Sequence, residues 1–219
     1  MSEEILINVT PTESRVALVE NGMLQEVSLD RASHGYLGNI YKGTVCRVLP
    51  GMQAAFVDIG LERTAFLHAS DILRVDQERM TGQLPAAATA EPPIGELLRE
   101  GAEIVVQVVK DPLGTKGARL TTHLSVPSRF LVLLPGSTHI GVSARIEDEE
   151  ERSRLQVLVE RLRDAADPAG YIVRTNAEGV DEFALAADMA YLDKVWAIIR
   201  ERQQTARPGE CIYEDLSLP

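Results

Sequence analysis

Between Gly38 and Ile72 the chain reads GNIYKGTVCRVLPGMQAAFVDIGLERTAFLHASDI, and few folds accommodate that pattern. Asn39 to Val48 alternates apolar and polar residues. Pro50-Gly51 breaks the run, Gln53 to Ile59 resumes it, Gly60 turns the chain and Thr64 to His68 runs back. A period of two, punctuated by turn residues, specifies three consecutive strands. Phe56 and Phe66 fall on adjoining strands and can share one sheet face. With only 5% aromatic residues in the chain, a phenylalanine on a surface is a scarce placement. An aromatic pair on a small barrel, with cations nearby, is a common way to stack single-stranded bases. Burial in the core is the competing reading for any strand phenylalanine.

The next segments complete a barrel. Residues 80–93 (MTGQLPAAATAEPP) lack periodicity and read as a flexible insertion. IGELLRE makes a helical turn, Glu103 to Lys110 a fourth strand, DPLGTKGA a loop, and Arg119 to Val126 a fifth strand. Three strands, an excursion and two strands is the layout of an OB-type barrel, whose second and third strands carry the ligand face. That layout favours exposure of Phe56 and Phe66, and puts His68 on the side of Phe66 by the strand period. Lys116 lies between Gly114 and Gly117 in the loop bordering that face. Glycines admit a close approach to a phosphate and lysine supplies a point charge; a solvated lysine on an ordinary turn is the other reading. Lys42 and Arg47 add positive charge on the first strand. Cys46 reads as a small buried residue. Cys46 and Cys211 make neither a disulfide framework nor a four-cysteine zinc site.

The flanks predict further elements in an α+β chain. Residues 4–30 form three strands, the last two joined by Asn21-Gly22, a pair suited to a two-residue hairpin turn. So small a unit has too little core to stand alone and is expected to pack on something later. Beyond a boundary at Pro127, FLVLL and GVSARI are extended. Glu147 to Ala166 is helical with Leu155, Leu158, Val159 and Leu162 inward. GYIVR is a strand, and Glu182 to Gln204 a helix with Ala186, Ala190, Val195 and Ile198 inward. RPGECIYEDLSLP starts something new. Arg174-Thr175, ending a strand, offers a guanidinium fork beside a hydroxyl, a pairing suited to a terminal phosphate; a strand-end arginine in water is the plainer alternative.

Charge limits the ligand classes. The net charge is -11, which opposes a protein that coats nucleic acid generally, because phosphate contacts need local positive charge. Residues 36–125 are near neutral, with nine Lys and Arg against ten Asp and Glu, so a local site is compatible. There is no basic, then apolar, N-terminal signal and no window of about 20 apolar residues; a soluble cytoplasmic protein is expected. No catalytic constellation stands out. Asp58 and Asp71 are isolated carboxylates, Asp148 to Glu151 reads as a solvated helix start, and His34, His68, His123 and His139 lack metal-ligand spacing.

The stretches NVTPTESRVAL, GNIYKGTVCRVLPGMQAAFVDIGLERTAFLHASDI, VQVVKDPLGTKGARLTT, PSRFLVLLPG and YIVRTNAEG resemble the N-terminal part of the ribonuclease E/G family of bacterial endoribonucleases, on its G branch. The resemblance implies a division into four parts. Residues 1–35 belong to an incomplete ribonuclease-H-like subdomain, 36–126 to an inserted S1 (OB-fold) domain, 127–206 to a 5′-sensor subdomain, and 207–219 begin the return. It implies that Phe56, Phe66 and Lys116 hold single-stranded RNA. It also implies that Arg174 and Thr175, with the Val132 backbone and the small residue Ser128, receive a 5′-monophosphate. The implied activity is magnesium-assisted cleavage of AU-rich RNA in rRNA maturation and mRNA decay, by a homodimer. The magnesium carboxylates belong to a later DNase-I-like subdomain with no counterpart here, so this chain alone is expected to bind no metal and not to cleave. A stand-alone S1-type adaptor is the alternative. A purely protein-binding barrel would need both phenylalanines buried or facing another chain.

Overall fold

The structure, a computed structural model, describes residues 2–31, 35–73, 92–163 and 169–215. Most of the stretch read as a flexible insertion, 80–91, lies outside them.

The chain opens with an antiparallel meander, β1 (Glu3–Val9), β2 (Glu13–Glu20) and β3 (Met23–Arg31). Asn21 and Gly22 both take positive φ, 49° and 76°, making the expected tight turn. Register pairs Ile5 with Leu18 and Ile7 with Val16, and on the opposite face Leu6 with Ala17 and Ala17 with Val27. Both faces are therefore apolar. The expected packing partner is not found among the described residues. Ile5, Leu6, Ile7, Val9, Leu24, Val27 and Leu29 remain 51% to 65% exposed.

The barrel forms as its strand pattern requires. β4 (Ile40–Leu49), β5 (Ala54–Asp58), β6 (Ala65–His68), β7 (Glu103–Lys110) and β8 (Arg119–Thr121) pair in the order β4-β5-β6-β8-β7, and β7 closes on β4. β6 and β8 are parallel and the other pairs antiparallel, giving an OB-type barrel. Val45, Ala55, Val57, Leu67, Val106, Val108 and Leu120 fill it. Their alternation turns Phe56 and Phe66 outward. A short helix, α1 (Ile94–Leu97), is tied to the turn preceding β5 by an Ile94 N–H donated to the Gln53 side chain at 2.9 Å.

Two sequence expectations fail in the barrel. Cys46 is exposed, because β4 bulges between Val45 and Arg47 and the ladder skips the cysteine. The fifth strand ends at Thr121 instead of running to Val126. Buried Gln107 takes over there: its amide donates to the Gly38 and Ser125 carbonyls, both at 2.8 Å, and its carbonyl accepts the Ser125 N–H at 2.8 Å. One satisfied polar side chain thus joins the start of the barrel to its exit.

A second sheet follows, ordered β11 (Ile140–Val142), β12 (Gly170–Val173), β10 (Leu131–Leu134), β9 (Val126–Pro127). α2 (Glu149–Leu162) and α3 (Glu182–Thr205) pack on it. Asp148 caps α2 by accepting the Glu150 N–H, and Leu155 and Val159 are buried. In α3 the inward residues are Leu185, Met189, Leu192 and Ile199, whereas Ala190 and Ile198, expected inward, are exposed. The larger side chains bury more apolar area, so they set the rotation of the helix. The last described strand, β13 (Cys211–Tyr213), pairs with β4 at Tyr41 and Ile40. Ile40 and Ile212 belong to the core of the second sheet, so β4 serves both the barrel and the layer beside it.

Candidate nucleic-acid interface

On the barrel surface the registers align five outward residues from five strands. Arg47 on β4 stands opposite Phe56 on β5, Phe56 opposite Phe66 on β6, Phe66 opposite Arg119 on β8, and Arg119 opposite Lys110 on β7. The two rings are half-buried, with centroids 6.2 Å apart and planes at 70°. This edge-to-face contact fixes both rings and leaves ring surface toward solvent. Cations flank the pair on both sides, so the row is apolar at its centre and positive at its ends.

The Lys116 loop is pinned beside this row. Leu113 and Lys116 exchange backbone hydrogen bonds at 3.0 and 3.1 Å. Arg63, from the β5–β6 turn, donates to the Gly114 carbonyl. A Cβ on Gly117 would lie 2.0 Å from the Thr64 carbonyl oxygen, so only glycine lets the loop seat against that turn. Arg63 escaped the sequence reading because its role rests on a loop-to-loop contact with no periodic signal.

The other sequence candidates divide. His68 lies on the side of Phe66, and its Nδ1 accepts the Ser70 N–H at 3.2 Å, capping the turn after β6. Lys42 is not brought to the aromatic row; it pairs with Glu103 at 3.0 Å farther along β4. Asp71, expected to be isolated, lies in the 3-10 turn Ala69–Asp71 and forms an ion pair with Arg119 at 2.9 Å. Asp58 accepts the Gly60 N–H at 2.9 Å.

A second cluster gathers on the sheet behind. Arg174, exposed at the end of β12, donates to the Ser128 carbonyl, and its own N–H donates to the Phe130 carbonyl at 2.8 Å. The Ser128 hydroxyl lies 2.6 Å from Asp188, which also accepts the N–H groups of Phe130 and Leu131. Val132 stands opposite Ile172 on one side and Pro127 on the other. The Thr175 hydroxyl is 3.3 Å from that of Ser143. Arg152 holds the Ser143 loop through the Ser143 and Ile146 carbonyls, at 2.7 and 3.0 Å. Ser128, Val132, Arg174 and Thr175 are thus brought together, with Ser143 added by a contact that no spacing announces. Glu151 braces the segment after Thr175: the Arg154 guanidinium, then the Gly179 N–H, hold its carboxyl down to about 2. Nearby Tyr171 is pushed upward, first by burial and then by Asp193.

Magnesium, implied by the resemblance, finds no fitting donor set among the described residues. Among the described residues no group of three His, Cys, Asp or Glu side chains converges, and Asp71 faces an arginine.

Residues 37–121 match the S1 RNA binding domain family, and residues 125–219 match the Ribonuclease E/G family. An S1 barrel continuous with a ribonuclease E/G segment is the arrangement that these two matches describe. Along its whole length the chain resembles the N-terminal part of ribonuclease E/G family proteins. It is 53% identical to Ribonuclease G of Escherichia coli (strain K12) over 219 residues, 100% of this chain and 44% of that relative. It is 52% identical to Ribonuclease G of Haemophilus influenzae over 99% of this chain and 43% of the relative. It is 38% identical to Ribonuclease E of a Nostoc species over 91% and 27%. The chain therefore spans less than half the length of these curated relatives. No helix among the described residues is long and apolar enough to cross a membrane.

Proposed function

We propose that this chain is the RNA-holding and 5′-monophosphate-sensing front of a ribonuclease G-like endoribonuclease. The observation that carries the reading is the pair of outward, half-buried phenylalanines fixed edge to face between cations. Single-stranded bases stack on such rings, each contributing about 1–3 kcal/mol. Lys116, on its pinned loop, takes a phosphate of the same strand. Arg174 and the Thr175 hydroxyl receive the terminal phosphate, with Ser128 and Val132 shaping the backbone beside them. These 219 residues hold and orient RNA; magnesium-assisted hydrolysis of AU-rich strands belongs to the complete, homodimeric enzyme, and this chain alone does not cut.

The test is titration of a short AU-rich single-stranded RNA bearing a 5′-monophosphate or a 5′-hydroxyl, followed by anisotropy of a 3′ label. Phe56→Ala is expected to weaken both RNAs by about tenfold, and Lys116→Ala to weaken both and lower the salt slope by about one. Arg174→Ala is expected to abolish the preference for the monophosphate. Unchanged affinity in Phe56→Ala and Lys116→Ala together would refute the barrel assignment.

A further inference from the structure

The aromatic row does not stop at Phe66. The next outward residue across the parallel β6–β8 pair is Arg119, which is exposed between buried Ala118 and Leu120. Its Nε and Nη2 both donate to a single oxygen of Asp71, at 3.1 and 2.9 Å. Asp71 is fixed in its turn, because its carbonyl accepts from the Thr121 hydroxyl at 3.0 Å and the Thr122 N–H at 2.8 Å. One edge of the guanidinium is thereby clamped from a rigid support. The plane and the Nη1 edge remain for a ligand.

We propose that Arg119 is a third stacking group of this face. Its plane takes the base next to the one on Phe66, so that one RNA strand crosses β5, β6 and β8 in succession. This rests on the RNA-holding reading of the barrel and extends it. A guanidinium stacks on a base much as an aromatic ring does, and a lysine cannot replace it. Holding the side chain before the ligand arrives removes part of the cost of ordering it on binding. The Asp71 carboxylate also cancels the arginine's charge. Arg119 then grips by its plane more than by net charge, which suits a chain of net charge -11.

The experiment compares the whole chain with Phe66→Ala, Arg119→Lys and the double variant Arg119→Ala/Asp71→Ala, against a 3′-fluorescein AU-rich single-stranded RNA over a range of salt. The double variant removes both charges together and leaves no lone carboxylate facing the RNA. Phe66→Ala is expected to weaken binding about tenfold. Arg119→Lys and the double variant are each expected to weaken it at least threefold, with the salt slope of the double variant unchanged. If Phe66→Ala weakens binding and both Arg119 variants bind as wild type, the third stacking group is refuted and the barrel reading stands. If Arg119→Lys binds as wild type while the double variant loses about one unit of salt slope, Arg119 is a phosphate cation and the stacking role is refuted. If Phe66→Ala also binds as wild type, the barrel reading fails and this inference falls with it.

Discussion

Glu151 illustrates how much one side chain can fix at the residue scale. Its two oxygens take the Arg154 fork at 2.6 and 2.7 Å and the Gly179 N–H at 2.8 Å. Arg154 reaches on to the Val180 carbonyl at 3.0 Å. The helix that carries both residues is therefore anchored to the loop that follows Thr175. The folded carboxyl ionises near pH 2, below the value of about 4.3 for a free glutamate. Its contribution is complete above pH 4.3 and is lost as pH falls toward 2. Glu151→Gln should cost about 1 kcal/mol at neutral pH, after discounting for the exposed rim of the pair. It should also flatten stability against pH between about 4 and 2, as followed by thermal melting with circular dichroism. An unchanged acid slope would assign that loss to other carboxylates. Phe56 and Phe66 were legible in the sequence because a strand's period of two tells which residues point together. Arg119 was not, since its place beside Phe66 depends on a parallel pairing between strands distant in the chain.

At the scale of elements, β1 to β3 and the barrel strands differ in what they bury. The meander follows its sequence closely, down to the Asn21-Gly22 turn, yet among the described residues nothing covers either of its apolar faces. A three-stranded sheet gains stability chiefly from a covered face. Backbone amides of β1 to β3 should therefore exchange with deuterium orders of magnitude faster than those of β4, β5 and β7, whose neighbours Val45, Val57 and Val106 are buried. Mass spectrometry of labelled peptides checks this; equal protection in the two sheets would show that the meander is covered in solution. Apolar period located α2 and α3, but the rotation of α3 escaped it. Alanines at 186 and 190 match helical spacing as well as Leu185 and Met189 do, and volume decides between them only once the sheet beneath is known.

At the scale of the whole molecule, the barrel order was legible because turn residues separate every strand from Asn39 to Lys110. The sharing of β4 was not, since β13 is three residues long and carries no pattern of its own. Its arrival brings Asp215 to Asn39, whose side chain accepts the Asp215 N–H at 2.9 Å. The path that sets out at Asn39 thus comes home to its starting point after building both the aromatic row and the cluster around Arg174. Such a circuit is a cassette: a host fold interrupted at a single place could receive it while closing only a short gap. Residues 35–215 alone should accordingly fold, melting within a few degrees of the full chain; failure to fold would mean that the circuit borrows stability from β1 to β3. Because the two ends meet, the circuit is held shut at one point, by the Asp215 N–H on the Asn39 side chain.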